Sequence, residues 1–390
     1  MNRYRSSAKN IIISGFAIDD SNRGTAALAY GSISFLQEKF GLITDIELIQ
    51  IVVFRNIFKA KLHKDKIEII NINGKQWRQR TIYVFWPFYQ LAKRLHLLLP
   101  FTKIRRILNN TEYVAAINGG DGFSDIYGTS LFYYRLPDIL LAMANDIPII
   151  LLPQTLGPFK DRSNYELARK ILLKSDYIFV RDDKFIPELK RLGLKYELTR
   201  DLSYYMQPEP WGINIEEGCI GLNVSGLAYS NRFKNLTGQF GEYKYILHKI
   251  VERFQSMNKT IYLISHSYRY NNPDPNNDDI EAARDFYGKL MNKTGVILID
   301  KELNSPKTKY VISKMSFFIG TRMHANFAAI YTNVPVFGLA YSYKFKGAFD
   351  ANGLNGNEQT AMINNITREQ ADTIVNKIIN FYKKTNNGNK

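Results

Sequence analysis

The sequence contains very little cysteine and no long apolar run. Its 390 residues include one cysteine, Cys219, which cannot form an internal disulfide, and no Cys/His spacing is typical of a zinc site. No stretch of about 20 uncharged apolar residues is present, so we expect no membrane-spanning helix. The apolar run after Asn10 is closed by Asp19 and Asp20 without a small-residue cleavage site, so we expect no signal peptide either. These absences predict a protein of the reducing cytoplasm.

Acidic residues are missing from one long stretch of this basic chain. The net charge is +16, and no Asp or Glu occurs between Ile69 and Thr111. Within that stretch, residues 75–108 mix Lys and Arg with Trp, Phe, Tyr and Leu, which is typical of a segment that lies on an anionic membrane surface. The alternative is one or two core helices with a solvated basic face. No RNA-binding motif or helix-turn-helix is present, so we expect no nucleic-acid partner.

Apolar residues make up 45% of the chain, enough for two domains with their own cores. Short apolar strands alternate with helical segments in both halves, which predicts an α/β fold with two doubly wound, Rossmann-like sheets facing a cleft. The segment Gln207–Gly212 contains two prolines and a glycine and is the predicted linker. The predicted domains are residues 1–207 and 213–390.

The stretch 316–344 carries the densest group of candidate functional residues. It predicts a strand at Phe317–Ile319, a helix at Ala325–Tyr331 and a strand at Val334–Leu339, which form a βαβ unit. Ligands of open parallel sheets bind outside the carboxyl ends of the strands. The ionisable residues that follow these two strand ends are Arg322, His324 and Lys344. Because a helix N-terminus also favours anions, we predict a site for a small, multiply charged anion.

Polar residues follow other predicted strand ends as well. Two consecutive glycines let the backbone approach a ligand closely, and nearby carboxylates could hold sugar hydroxyls. These residues are Gly119, Gly120, Asp121 and Asp125, and the remaining polar residues at strand ends are Asn22, Gln154, Arg181 and His266. A tight turn without a ligand is the alternative for the glycines, and a loop histidine that caps a strand end is the alternative for His266. For Arg181 the alternative is an ion pair with Asp201 or Asp182.

In their order and spacing these motifs resemble the polysaccharide pyruvyl transferase family over nearly the whole chain. The matching motifs are Asn22-Arg23-Gly24, Gly119-Gly120 with Asp125, Gln154-x-x-Gly157-Pro158, Arg181-Asp182, Arg322-Met323-His324, Asn333-Val334-Pro335 and Tyr341-Ser342-Tyr343-Lys344. Many members carry Asp after the glycine of the first motif, where this chain has Thr25, so the role of that loop is left open.

The resemblance implies a fold, a reaction and a set of site residues. Members are similar to glycosyltransferases of the B type, and they transfer a pyruvyl group from phosphoenolpyruvate to two sugar hydroxyls as a cyclic ketal. The implied donor-binding residues are Arg181, Arg322, His324, Lys344 and Gln154. The implied acceptor-binding residues are Asn22, Arg23, Gly119, Gly120, Asp121 and Asp125. Phosphoenolpyruvate is the expected co-substrate. We expect no cofactor and no metal.

The expected acceptor is a hexose, with galactose first, in a polyprenyl-diphosphate-linked precursor of a capsule or exopolysaccharide. Such an acceptor is anionic and bound to a membrane, which would suit the basic chain. We therefore expect a cytoplasmic enzyme that is peripheral at the inner face of the plasma membrane.

The chemistry of phosphoenolpyruvate assigns a catalytic role to His324. The carboxylate and phosphate of the donor suit Arg and Lys, whereas its methylene carbon must be protonated by an acid. Histidine is the side chain with a suitable pKa. A base must accept the hydroxyl protons, and the candidates are Asp121, Asp125 and His266.

Two other functions stay open at this stage. The same fold supports glycosyltransferases that use nucleotide sugars, because function lies in the site rather than in the fold. A non-catalytic scaffold would use residues 75–108 to lie on a membrane surface.

Overall fold

The computed structural model describes residues 9–58, 60–94 and 103–387. They form two α/β units, of which the first comprises the described part of Met1–Ala17 and Leu28–Met206. The second comprises Ile18–Ala27 and Gln207–Lys390. The sequence prediction places Ile18–Ala27 in the first domain, but these residues group with the second unit, where Arg23 donates hydrogen bonds to loop carbonyls.

The first unit is built around a sheet of eight strands. These are β1 (Asn10–Ser14), β2 (Glu47–Phe54), β3 (Lys66–Ile72), β4 (Lys75–Phe85), β5 (Thr111–Ala116), β6 (Ile149–Gln154), β7 (Tyr177–Val180) and β8 (Glu197–Leu198). The strand order is β3-β4-β2-β1-β5-β6-β7-β8, and each neighbouring pair is parallel except β3 and β4. The helices that accompany these strands are α1 (Arg23–Phe40), α2 (Trp86–Arg94), α3 (Lys103–Asn109), α4 (Thr129–Tyr134), α5 (Pro137–Ala144), α6 (Arg162–Lys174), α7 (Ile186–Arg191) and α8 (Leu202–Tyr205).

Local sequence explains several of these elements. The strand β1 is buried along its whole length, and its three central isoleucines are typical of a strand in the middle of a parallel sheet. Helix α6 begins where the Asp161 carboxylate accepts hydrogen bonds from two backbone N–H groups of the first turn. Helices α4 and α5 are separate, and Pro137 is the first residue of the second one, because proline lacks the N–H that a continuous helix would need there.

Residues 75–108 begin with a strand, which differs from the alternative prediction of one or two helices, and their contact with a membrane stays a prediction. Their first eleven residues form β4, which is antiparallel to β3 and parallel to β2, and Trp77 is completely buried. Two of the basic residues in this strand are paired, since Arg78 contacts Glu47 and Arg80 contacts Asp65. Residues 95–102 of the stretch lie outside the described residues. The alternation of β-branched, aromatic and basic residues along β4 matches a strand with one buried face, a pattern that the sequence analysis did not recognise.

The second unit contains a sheet of six parallel strands. These are β9 (Ile220–Leu222), β10 (Ile261–Leu263), β11 (Val296–Leu298), β12 (Phe317–Gly320), β13 (Val336–Ala340) and β14 (Thr360–Met362), in the order β11-β10-β9-β12-β13-β14. The helices are α9 (Gly226–Ser230), α10 (Tyr243–Gln255), α11 (Asp279–Lys289), α12 (Ser305–Ser313), α13 (Met323–Ile330), α14 (Lys344–Ala351), α15 (Gly356–Gln359) and α16 (Arg368–Asn387). None of the helices within the described residues is long and apolar enough to cross a membrane.

The strand order of each sheet places a binding crevice. In the second unit the order reverses between β9 and β12, and in the first unit it reverses between β1 and β5. Ligands of doubly wound sheets bind at such switch points, outside the carboxyl ends of the strands. The loops after β12 and after β5 are the ones that carry Arg322 and the Gly119–Gly120 pair.

Candidate functional site

The switch point of the second sheet is held together by Asn223, which follows β9. Its side chain is fully buried, and its Oδ1 accepts hydrogen bonds from the backbone N–H groups of Thr321 and Arg322. Its Nδ2 donates to the carbonyl of Ile264, beyond β10. One amide therefore ties together the ends of three adjacent strands and fixes where Arg322 leaves β12.

Arg322 is anchored by a buried carboxylate. Its Nε and Nη2 donate to Asp279 at 3.0 and 2.7 Å, and Nη2 also donates to the Asn277 carbonyl at 2.8 Å. Asp279 is completely buried at the start of α11. Burial by itself lowers the pKa of Arg322, but the attraction of Asp279 outweighs it, so this pKa is raised and the side chain stays charged. The sequence analysis missed Asp279, although an Asp pair at a helix start is a recognisable capping signal.

His324 lies in the first turn of α13, against the backbone of the N-terminal loop. A Cβ atom at Gly24 would lie only 2.5 Å from Nδ1 and 2.9 Å from Cβ of His324. The glycine of the Asn22-Arg23-Gly24 motif is therefore required by the imidazole that packs on it. The ring of His324 also makes an edge contact with Phe327, one turn further along the helix.

His266 is the second histidine of this region. It is 4% exposed, and its backbone N–H donates to Asp279 while its carbonyl accepts from the N–H of Arg23. Burial, together with repulsion from His324, Arg322 and Arg23, lowers the pKa of His266 well below its usual value. The imidazole of His266 is therefore neutral at physiological pH.

The loop residues Asn22 and Arg23 lie in the same place and fix the loop. Arg23 is buried, its Nε donates to the Leu303 carbonyl at 2.6 Å, and its guanidinium lies over the Tyr268 ring. The exposed Asn22 pairs with Ser267 in an isolated bridge, and its Oδ1 accepts from the Gly24 N–H. Arg23 thus helps to fix this loop in the second unit, and its role in acceptor binding stays a prediction.

Lys344 follows β13 and is the first residue of α14. Since β13 is the neighbour of β12, its end adjoins the loop that carries Arg322 and His324. Arg322, His324 and Lys344 therefore follow the ends of two neighbouring strands, and their joint contact with a ligand stays a prediction.

In the first unit, the turn after β5 has the left-handed backbone conformation that its glycines predict. Asn118, Gly119 and Gly120 all have positive φ, and the Gly122 N–H donates to the Asn118 carbonyl at 3.0 Å. Gln154 is completely buried and accepts a hydrogen bond from the Asn118 side chain. Gln154 therefore supports the turn, and its contact with the donor stays a prediction.

Arg181 follows β7 and packs against this turn. Its Nη1 forms an ion pair with the buried Asp201, and its Nε donates to the Thr155 hydroxyl at 3.0 Å. A Cβ atom at Gly120 would lie 2.9 Å from Nη1 of Arg181. Burial lowers the pKa of Arg181, but Asp201 and Asp121 more than offset this and raise it. Of the two partners left open by the sequence, Asp201 is the one that pairs with Arg181.

The two carboxylates of the first unit have different environments. Asp121 is partly exposed in the turn, where its Oδ2 accepts from the Tyr127 hydroxyl at 2.7 Å. Asp125 is buried and accepts from the backbone N–H groups of Lys160 and Asp161, which hold its pKa below the usual value against the opposing effect of burial. Asp125 is therefore a structural carboxylate, whereas Asp121 remains a candidate for substrate contact.

The sequence analysis also missed Arg135, which follows α4. Its Nη1 donates to the Asn118 carbonyl at 2.9 Å, and a Cβ atom at Gly122 would lie 1.4 Å from Nη1. The only sequence signal would have been a third glycine so close to the Gly119–Gly120 pair, since each glycine leaves space for a neighbouring group.

The predicted site residues fall into two groups. The second unit contains Asn22, Arg23, His266, Arg322, His324 and Lys344, and the first unit contains Gly119, Gly120, Asp121, Asp125, Gln154 and Arg181. Among the described residues, no group of three or more His, Cys, Asp or Glu side chains could hold a metal ion.

Comparison with solved structures identifies the fold. The UDP-GlcNAc 2-epimerase from Methanocaldococcus jannaschii superposes with a TM-score of 0.55 at 12% identity, covering 95% of this chain and 93% of that one. The UDP-GlcNAc 2-epimerase from Neisseria meningitidis, bound to UDP-GlcNAc, gives 0.50 at 12% identity and covers 97% and 93%. At this identity the likeness shows the fold alone, which is that of two Rossmann-like units of the glycosyltransferase B type, as the sequence predicts.

Comparison with protein families agrees with the motifs. The sequence model described as polysaccharide pyruvyl transferase matches residues 22–343, from the Asn22 loop to the end of the Tyr341-Ser342-Tyr343 segment. This range includes the switch point of the second sheet, the turn after β5 and every strand-end motif except Lys344. The chain belongs to the polysaccharide pyruvyl transferase family.

Proposed function

We propose that this member uses phosphoenolpyruvate as donor and forms a cyclic pyruvyl ketal on two hydroxyls of a hexose, with galactose as the first acceptor to test. The observation that carries the proposal is the placement of His324 beside Arg322 at the end of β12, with the Gly24 backbone packed on its imidazole. A proton donor beside a fixed cation is what the protonation of an anionic enol ester requires.

The donor would bind through cations that the protein has already oriented. Arg322 uses Nε and Nη2 for Asp279 and Asn277, so Nη1 is the nitrogen left by these contacts for a phosphate or carboxylate oxygen. Lys344 and the N-terminus of α13 would add positive potential at the same edge of the sheet. Fixing the guanidinium beforehand lowers the entropic cost of binding.

Protonation of the methylene carbon begins the reaction. His324 donates a proton to that carbon, which becomes a methyl group, and the adjacent carbon becomes an oxocarbenium centre. One sugar hydroxyl attacks this centre and loses its proton. The bond between that carbon and the phosphate oxygen then breaks, and the second hydroxyl closes the ketal and loses its own proton. One of the two hydroxyl protons restores His324, and the other leaves with the released phosphate.

Of the three candidate bases, Asp121 fits the reaction best. Its carboxylate is partly exposed and held by Tyr127, so it can accept a hydroxyl proton or position the hydroxyl. His266 has a strongly lowered pKa and is a weak base, and Asp125 is buried under backbone donors. His266 would instead stay uncharged next to His324.

The acceptor would be presented at an anionic membrane surface. We define the β3 patch as the exposed apolar residues Ile57, Phe58, Leu62, Ile67 and Ile69 in and before β3. Phe58 is 93% exposed, and the exposed Lys64 and Lys66 lie between the apolar members of the patch. Apolar side chains next to lysines favour an interface with anionic lipid, and this supports a lipid-linked acceptor.

The test is an incubation with phosphoenolpyruvate and free or lipid-linked galactose, glucose and mannose, with phosphate release as the readout. A parallel reaction supplies UDP-sugars, because two solved structures of similar fold are UDP-GlcNAc 2-epimerases. We expect phosphate release that requires both donor and acceptor, and no release of nucleotide. Nucleotide release without phosphoenolpyruvate consumption would instead favour a nucleotide-sugar glycosyltransferase, and the absence of both would favour the non-catalytic scaffold.

A further inference from the structure

Arg135 differs from Arg181 and Arg322 in having no acidic partner. Arg181 pairs with Asp201, and Arg322 pairs with Asp279. Within the residues that the structure describes, no Asp or Glu oxygen lies within 4.0 Å of the Arg135 guanidinium, whose one hydrogen bond goes to the Asn118 carbonyl. Arg135 therefore places an uncompensated positive charge at the switch point of the first sheet.

The turn after β5 is shaped around this charge. A Cβ atom at Gly119 would lie 3.2 Å from Cζ of Arg135, and one at Gly122 would overlap its Nη1. The two glycines thus let the guanidinium lie flat on the backbone of the turn. Partial burial removes water from a cation, and the cost is recovered when an anion supplies the missing hydrogen bonds. A fixed, half-buried arginine without a carboxylate is therefore suited to an anionic ligand.

The surroundings of Arg135 indicate what carries that anion. Tyr127 is 54% exposed and donates its hydroxyl hydrogen bond to Asp121 in the same turn. Tyr133 and Tyr134, directly before Arg135, are also exposed, at 44% and 78%. The exposed Tyr127 ring beside the Asp121 carboxylate suits a sugar, because the ring can cover an apolar face of the sugar while the carboxylate accepts from its hydroxyls.

We propose that Arg135, with Asp121 and Tyr127, forms an acceptor subsite that selects a saccharide bearing a carboxylate or phosphate group. This inference rests on the proposed function, since it names the class of acceptor for the same reaction. Arg135 binds the anionic substituent, Asp121 binds a sugar hydroxyl and Tyr127 contacts the ring. The subsite belongs wholly to the first unit.

The test is direct binding, measured by calorimetry without donor. The probes are galacturonate, galactose 6-phosphate, neutral methyl galactoside and phosphoenolpyruvate. We expect the wild type to bind the two anionic sugars roughly 10- to 100-fold more tightly than the neutral one, as charge-assisted hydrogen bonds allow. Arg135→Gln should lose this preference, Arg135→Lys should keep part of it, and the control Arg78→Gln, on an exposed arginine paired with Glu47, should keep all of it.

The outcomes separate this inference from the proposed function. Equal binding of charged and neutral sugars by the wild type, or an unchanged preference in a folded Arg135→Gln, would overturn the subsite. Loss of phosphoenolpyruvate binding alone in Arg135→Gln would also overturn it, because the anion would then be the donor. Comparison of galacturonate with galactose 6-phosphate identifies the group. If the enzyme forms the ketal but shows no preference for anionic sugars, the proposed function holds and the subsite does not. If the preference for anionic sugars is present without turnover of phosphoenolpyruvate, the subsite holds and the proposed function does not.

Discussion

At the scale of single residues, the partner of an arginine decides what that arginine can do. Arg322 has a guanidinium fixed by a buried aspartate, and the contact uses two of its nitrogens. The flat guanidinium holds Asp279 and still offers a third nitrogen, whereas a lysine ammonium cannot do both with the same geometry.

For this reason we expect Arg322→Lys to weaken donor binding. The Michaelis constant for phosphoenolpyruvate should rise about tenfold or more, as for the loss of one charge-assisted hydrogen bond. Steady-state kinetics on wild type and variant provide the measurement, and Arg253→Lys, on the exposed face of α10, is the control. An unchanged Michaelis constant in Arg322→Lys would exclude the donor contact.

Gly24→Ala tests the placement of His324 directly. The added methyl group would overlap the imidazole, so we expect turnover to fall by roughly tenfold or more, because small displacements of catalytic groups are costly. Alanine is a better helix former than glycine, which offsets part of the destabilisation. We therefore expect only a small fall in the free energy of unfolding. The matched control is Gly288→Ala in α11, where a Cβ atom meets nothing within 4 Å. Full activity of Gly24→Ala would show that the position of His324 is not critical.

The residues show what a sequence can and cannot reveal. Gly24, Gly119 and Gly120 were singled out because glycine is a strong local signal, although the side chains that require them lie far away in the chain. Asp279 and Arg135 are not predicted as site residues, because a pairing partner is set by tertiary contact rather than by spacing. The same cause explains why Gln154 and Arg23 were expected to contact substrate although the structure buries them.

At the scale of elements, helix α5 carries a buried carboxyl in its first turn. Asp138 is 5% exposed, with the Ser14 hydroxyl as a hydrogen-bond partner, and burial raises its pKa to about 7. The folded state therefore holds a proton that the unfolded chain loses near 3.8. Since the folded state binds more protons between these values, stability falls as the pH rises from about 4 to about 7 and is level above.

We expect Asp138→Asn to remove this pH dependence. The contribution is on the order of 4 kcal/mol, from a shift of about three pKa units, so the variant should gain in relative stability toward neutral pH. Chemical denaturation at several pH values between 4 and 8 measures it. The exposed Asp146→Asn serves as control and should follow the wild type. If Asp138→Asn keeps the slope of the wild type, the carboxyl is not protonated in the folded protein.

Element types were more predictable than their partners. The strands of the second unit and the βαβ unit of β12, α13 and β13 follow from short apolar runs closed by glycine or polar residues. The strand β4 was missed because its basic and aromatic residues fit an amphipathic surface segment as well as a strand. Only the pairing of β4 with β2 and β3 distinguishes a strand from an amphipathic surface segment. A short stretch of sequence does not reveal which strands pair with each other.

At the scale of the whole molecule, the positive charge and the β3 patch together predict binding to anionic membranes. We expect the protein to sediment with vesicles that contain phosphatidylglycerol and not with pure phosphatidylcholine, and binding should weaken as salt is added. Phe58→Glu with Ile69→Glu should reduce binding roughly tenfold or more, because two apolar side chains that would insert into the bilayer are replaced by charges. The control is Met291→Glu, a fully exposed apolar residue of the second unit. Equal binding of the Phe58/Ile69 variant and the wild type would exclude the patch as the contact.

The central claim is that phosphoenolpyruvate is protonated by His324 on the way to a ketal, and the most direct measurement is the reaction in heavy water. Proton transfer from the enzyme to the methylene carbon should place one deuterium in the methyl group of the ketal, detectable by mass and NMR. The variant His324→Ala should remain folded and form no labelled product, while the control His248→Asn, a histidine of α10 outside the site, should behave like the wild type. A ketal without deuterium, or normal labelling by His324→Ala, would contradict the account.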